Sequence, residues 1–280
     1  MSLPSSFIAA VRRAVVSLLA APLALAAQPA TAQGDLLVAP TRVIINGSGN
    51  AEIVLSNIGN QPATYRIGIE LRRMQHDGDF ADVSEAEANA TERAALDMVR
   101  YAPKRITLLP GQPQSIRLSA RPTPELPDGE YRVHMSFRAV PPALAPDAAD
   151  EQVATGQLSI RLTPVYGITI PVFVRKGRLE AAAALANPRL GGDATHKWLD
   201  LDMRRSGQRS VYGEILGKRG SEQVFAVKGV AIYPEVQDRT IRIPLTDAQL
   251  AKLKGPVRIE YRELPENGGQ LIAELTAALN

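Results

Sequence analysis

The sequence predicts an all-β protein made of two immunoglobulin-like β-sandwich domains joined by a short linker. Three observations carry that prediction. The chain has 280 residues, a length that fits two domains or one large all-β domain. Apolar and polar residues alternate with period two along most of the chain after residue 35, the signature of strands with one buried face. Gly-, Pro- and Asn-rich turns punctuate those stretches, which gives seven short strands in the first half, a sandwich pattern.

The chain starts with a targeting segment, residues 1–32. Arg12 and Arg13 form a positive flank, residues 14–27 an apolar run, and Ala30–Ala32 a small-x-small cleavage site. Such a segment reads as a cleavable export signal, leaving a mature chain from Gln33 in the periplasm. The competing reading is a membrane anchor; Pro22 and the shortness of the apolar run weigh against it. No later stretch reaches about eighteen apolar residues, so no stable membrane insertion is expected.

The first domain is placed at 33–176. "TYRIGIELR" puts Tyr65, Ile67, Ile69 and Leu71 on one face. "EYRVHMSFR" points Tyr131, Val133, Met135 and Phe137 inward, and Arg132, His134, Ser136 and Arg138 outward. Similar strand signals occupy 37–45, 51–57, 105–109 and 114–120. "SEAEANATERAALDM" (84–98) reads as an inserted loop with a short helix, with Ser84 as candidate cap. "VPPALAPDAADEQ" (140–152) reads as a mobile loop.

"GQLSIRLTPVYGITIPVFVRKG" (156–177) is harder to place. Extended from Leu158 to Val174 it would span about 55 Å, far longer than an ordinary strand. It also holds Pro164 and Pro171, which suit edges and bulges. Seven apart, the two would delete N–H groups on opposite sides of a regular ladder, so a bulge at Gly167 is expected.

After the linker "RKGR" (175–178), a second domain is placed at 177–280. Trp198 or Leu199, then Leu201 and Met203, form one buried set; Ile241, Ile243 and Leu245, and Val257, Ile259 and Tyr261, form two more. "TDAQLAKL" (246–253) reads as a helical turn capped by Thr246 or Asp247.

Chemistry is sparse. His76, His134 and His196 are far apart in the sequence and none has metal-ligand spacing; His134 reads as a surface residue. The chain lacks GxSxG, GxGxxG and phosphate-loop motifs, and it has no cysteine, so no catalytic residue, metal or cofactor is expected. A net charge of +3 without a long basic run argues against nucleic acid as partner.

Several stretches carry a resemblance. "LLVAPTRVIINGSGNAEIVLSNIGNQPATYRI" (36–67), "YAPKRITLLPGQPQSIRL" (101–118), "LPDGEYRVHMSF" (126–137) and "IPVFV" ending at Val174 together resemble the PapD-like periplasmic pilus-assembly chaperones, in a divergent, non-enterobacterial form. The resemblance covers nearly all of 35–177 and is much weaker over 178–280. It implies two domains with a cleft between them. It also implies a chaperone that lends its last first-domain strand to pilin-like subunits lacking one, until an outer-membrane usher exchanges it. Strand addition of this kind takes affinity from backbone hydrogen bonds and specificity from alternate side chains.

On that resemblance the donated residues are Leu158, Ile160 and Leu162, with Tyr166 as a further candidate, while Ile168, Ile170, Val172 and Val174 pack within the chain's own core. An ordinary buried strand is the alternative. Arg42 matches the family's arginine for the subunit's terminal carboxylate; the alternative is a solvated strand residue. The partner lysine's place is taken by Pro171, with Arg175 and Lys176 near and Lys104 and Arg105 as further candidates. The exposed edge also suggests a self-capping oligomer. Two other readings stay open: a structural or adhesive module assembling through its edge strand, and an unrecognised hydrolase.

Overall fold

The computed structural model describes residues 36–141 and 165–279. The N-terminal stretch read as an export signal, most of the proline–alanine loop and the donor candidates Leu158, Ile160 and Leu162 lie outside the described residues.

In chain order the first unit comprises β1 (Leu36–Ala39), β2 (Val43–Asn46), β3 (Gly49–Asn57), β4 (Ala63–Met74) and β5 (Phe80–Val83). Helix α1 (Ala90–Met98) follows, then β6 (Val99–Ala102), β7 (Arg105–Leu108), β8 (Pro113–Ala120), β9 (Gly129–Val140) and β10 (Gly167–Lys176). One sheet has the order β1-β3-β8-β6; the other runs β2-β10-β9-β4-β5, with β7 also pairing β4. The residues 37–45 therefore do not form one strand. The chain breaks at Pro40–Arg42, and its two halves join different sheets, β1 against β3 and β2 parallel to β10.

The inward sets pack as their alternation dictates. Tyr65, Ile67 and Leu71 of β4, Val133, Met135 and Phe137 of β9, and Ile170, Val172 and Val174 of β10 share one buried cluster with Ile53, Leu55, Ile116 and Leu118. The helix cap is Asn89, not Ser84. Asn89 accepts from the Glu92 N–H and Glu92 returns a bond to the Asn89 N–H, a reciprocal pair that satisfies two otherwise orphaned donors. Ser84 instead donates to Glu87 in a separate turn.

The second unit comprises β11 (Ala181–Gly192), β12 (Lys197–Gly207), β13 (Val211–Arg219), β14 (Glu222–Ile232), β15 (Asp238–Leu245), α2 (Asp247–Lys252), β16 (Gly255–Arg262) and β17 (Leu271–Leu279). Its sheets have the orders β11-β12-β15 and β14-β13-β16-β17. Leu199, Leu201 and Met203 fill the core with Ile243, Ile259 and Tyr261; Trp198 has the opposite parity and lies under the Arg242 guanidinium instead. Thr246 caps α2.

Two first-unit residues, Met74 and Phe173, belong to the second unit's apolar cluster. Phe173 is fully buried, and as an odd-numbered residue of β10 it faces away from its own sandwich. The β4–β5 hairpin also reaches across: Thr240 N–H donates to His76 O at 3.2 Å. Met74 N–H donates to Glu235 at 2.9 Å, and Arg132 pairs with the same carboxylate.

Candidate functional site: an open strand edge ending in a basic cleft

The β10 ladder decides which edge is free. Ala139 N–H donates to Tyr166 O at 3.0 Å. Antiparallel pairs alternate between bonded and non-bonded positions, and the β10–β9 register is unbroken from Gly167 to Lys176. Even-numbered residues of β10 therefore bond to β9. Odd-numbered ones turn their backbone groups to the other side, as Arg175 O shows by accepting from Gly47 N–H at 2.7 Å. The unbroken register also removes the bulge expected at Gly167.

On that other side β2 pairs only with Val172–Arg175. Among the described residues no strand covers Gly167–Pro171. Gly167 and Thr169 thus present unpaired N–H and C=O groups along an open edge, and Pro171 presents a C=O alone. Pro171 lacks its N–H on the side where no internal bond would be made, so a strand that is central further along tolerates it here. Val165 and Tyr166, which lead into this edge, are more than half exposed.

The open edge runs into a cleft between the units, of about 430 Å³, lined by Arg42, Ile44, Arg175, Arg209, Ser210, Tyr212, Glu263 and Glu266 among others. Arg42 stands in the crossing between β1 and β2, one residue before β2 begins. It is not a solvated strand residue. Its guanidinium carbon lies 3.9 Å from the Phe173 ring centroid and 4.4 Å from that of Tyr212. It donates to Ser210 Oγ at 3.0 Å and to Tyr233 Oη at 3.4 Å. Burial pulls its pKa below the ordinary arginine value, though a guanidinium stays charged in any protein. Among the described residues no carboxylate forms a salt bridge with it.

Arg175 is in the cleft but already paired. Its Nε donates to Glu130 at 2.9 Å, and that carboxylate is 1% exposed. Glu130 also accepts from the Ser210 N–H and hydroxyl, both at 3.0 Å, so one buried carboxylate ties β9, β10 and the second unit together. Lys176, of the opposite parity, is not brought to the cleft: its ammonium donates to the carbonyls of Pro124 and Leu126. Lys104 and Arg105 are also elsewhere. Arg105 sits opposite Arg66, at the end of β4 remote from Met74, and Lys104 lies over the Tyr101 ring.

His134 is buried, not a surface residue. It lies opposite Pro171 in the ladder, and the Phe80 ring covers it edge-on at 5.4 Å. Burial, with Arg132 and Arg72 nearby, pushes its pKa down to about 3, so it is neutral at physiological pH. The outer face of this sheet is covered by the β4–β5 hairpin and the second unit, which period-two reasoning on one strand could not see. The cation at the second unit's rim, Arg209, was also missed: it stands in a polar loop, "RRSGQRS", with no pattern that singles it out.

No family model matches the chain, and no curated protein matches it. Several solved structures are similar to it in outline. The YadV chaperone has a TM-score of 0.47 at 13% identity over 87% of this chain and 98% of that one. The E. coli chaperone DraB has 0.46 at 14% over 88% and 97%. The SafB chaperone of Salmonella enterica, solved with the SafA pilin, has 0.46 at 14% over 89% and 99%.

Proposed function

We propose that the chain is a periplasmic chaperone that holds pilin-like fibre subunits by adding its β10 edge to their incomplete sandwich and passes them to an outer-membrane usher. One observation carries this reading: β2 lies parallel to β10 and covers its edge only from Val172, and Arg42 stands immediately before β2. A subunit strand that adds to the free edge parallel to β10 lies end to end with β2. Its last residue then meets Arg42. Charge and backbone are arranged for one event, the arrival of a strand that ends in a carboxylate.

The alternating residues Leu158, Ile160 and Leu162 share the parity of Ile168 and Ile170, and with Tyr166 they form the proposed donated set. Arg42 binds the terminal carboxylate; Arg175, held by Glu130, adds positive field. No catalytic step, metal or cofactor is part of this reading.

The test uses the tagged full chain expressed with its neighbouring genes, comparing Arg42→Ala with wild type. A charge-assisted hydrogen bond to a carboxylate is worth about 1.5–3 kcal/mol, so recovery of a small β-rich subunit should fall about tenfold or more. The melting temperature should fall by only a few degrees. Unchanged recovery with a large fall in melting temperature would make Arg42 a structural residue of the domain interface and overturn the reading of the cleft. Homogeneous self-assembly through β10, with no second protein, would favour the structural-module reading.

A further inference from the structure

Three cations line the cleft, Arg42, Arg175 and Arg209, while Lys176, next to Arg175 in β10, is turned away from it. Arg175 is paired with Glu130 and Lys176 is held by loop carbonyls. Arg42 and Arg209 remain. Both reach the same residue: Arg42 donates to the Ser210 hydroxyl at 3.0 Å, and Arg209 Nη1 makes a long 3.4 Å contact to the Ser210 carbonyl. Among the described residues neither forms a salt bridge. Glu263 and Glu266 line the same cleft, so an incoming anion is drawn only to the cations that no carboxylate already neutralises, Arg42 and Arg209.

The loop that carries Arg209 is held in place. The Arg205 guanidinium donates to the carbonyls of Gly207, Arg209 and Pro234 at 2.8, 3.2 and 3.1 Å. Gly207 has φ +97°, and a Cβ there would stand 2.2 Å from Glu180 O. Gln208 N–H donates to that same carbonyl at 2.8 Å. A cation whose own side chain has one weak contact, on a loop with several strong ones, is positioned for something outside the molecule.

We propose that Arg209, from the second unit, is the second cation of the carboxylate site, so that the terminal carboxylate of a client strand is gripped by one arginine from each unit. This deepens the reading above and rests on it. Two planar guanidiniums can share the two oxygens of one carboxylate, which a lysine's point charge does less selectively. A site divided between the units also couples client binding to their relative placement.

The test titrates the full mature chain with a fluorescent twelve-residue peptide of alternating valine and threonine, made as the free acid, as the C-terminal amide, and as an amide ending in glutamate. In wild type the free acid should bind about tenfold tighter than the plain amide. Arg209→Ala should bring that ratio to about two and leave amide binding unchanged, while Arg209→Lys recovers part of it. An unchanged ratio in Arg209→Ala, with the ratio lost in Arg42→Ala, would overturn this proposal and leave the cleft reading standing. Equal weakening of acid and amide would also overturn it, since it would mean packing and not charge. A ratio of one in wild type would overturn the cleft reading itself. Tight binding of the glutamate-ended amide would overturn the terminal carboxylate as the source.

Discussion

The two halves of β10 are made of the same kind of residue and live in different surroundings. From Val172 to Arg175 the strand has β9 on one side and β2 on the other, with Val172, Phe173 and Val174 essentially removed from solvent. From Gly167 to Pro171 it has β9 alone. One half is interior in every direction; the other is half of a ladder. Ile168 and Ile170 of the open half pack on the same core as Val172 and Val174, so the difference teaches that side-chain burial and backbone pairing are set separately. The inward faces of both halves are filled from within the chain, and only the backbone edge of one half is left open.

The largest effect should come from the enclosed half. Val172→Asp places an unpaired carboxylate in a dry core, a cost of several kcal/mol, comparable to the whole stability of a domain. We expect no folded protein in circular dichroism or in the soluble fraction. A folded, soluble variant would show that the enclosed half is not enclosed.

A pair of proline substitutions tests the open half. Thr169→Pro deletes an N–H on the free edge and loses the 3.2 Å bond from Thr169 Oγ1 to Glu70. Stability should fall by about 1 kcal/mol, while the client capture that the proposed function assigns to this edge falls at least about tenfold. Ile170→Pro, one residue on, deletes an N–H of the β9 ladder and leaves a buried acceptor unmatched, with about 1–3 kcal/mol lost from that alone. Thermal unfolding should separate the two clearly. Equal destabilisation would mean that Thr169 does not face an open edge.

The smallest effect concerns the seam between the halves, where His134 lies opposite Pro171. Its folded pKa of about 3 is below the unfolded value of about 6.5, so below pH 6.5 the unfolded chain binds the proton that the folded chain refuses. Stability is therefore complete above about 6.5 and declines as pH falls from there towards 3, by a few kcal/mol at most for a group this buried. His134→Phe should flatten that part of the stability–pH curve. A slope that persists unchanged would assign the acid sensitivity to other groups.

Much of this was legible in the sequence because alternation reports burial directly. Tyr65, Ile67 and Leu71, or Leu199, Leu201 and Met203, needed nothing beyond their own spacing. What escaped depended on neighbours remote in sequence. The two strands within 37–45 look continuous until one asks which sheet each half joins. His134 occupies a polar-face position that a hairpin and a second unit happen to cover. Arg42 was singled out by resemblance, but its stacking on Phe173 and Tyr212 needs residues 131 and 170 positions away. Arg209 carried no local signal at all, because an arginine in a polar loop has the same pattern whether it faces water or a cleft. The bulge at Gly167 was expected from Pro164 and Pro171 taken together. The ladder from Gly167 onward is regular, and Pro171 is accommodated without a bulge because it turns its missing donor to the edge that has no partner, while Pro164 lies outside the described residues.

Because β2 occupies the edge of β10 from Val172 onward, the free edge has a fixed end stop. A strand laid along it in the parallel sense cannot slide past that point. Its position is measured from its own chain end, as on a ruler whose zero lies in the cleft. A slip of one residue in a ladder exchanges the two faces of a strand, so a guest aligned by its terminus always shows the same alternate set of side chains to the sandwich. Under the proposed function, a holder of this kind would accept guests that differ in sequence, provided each keeps its apolar positions at the same count from the end.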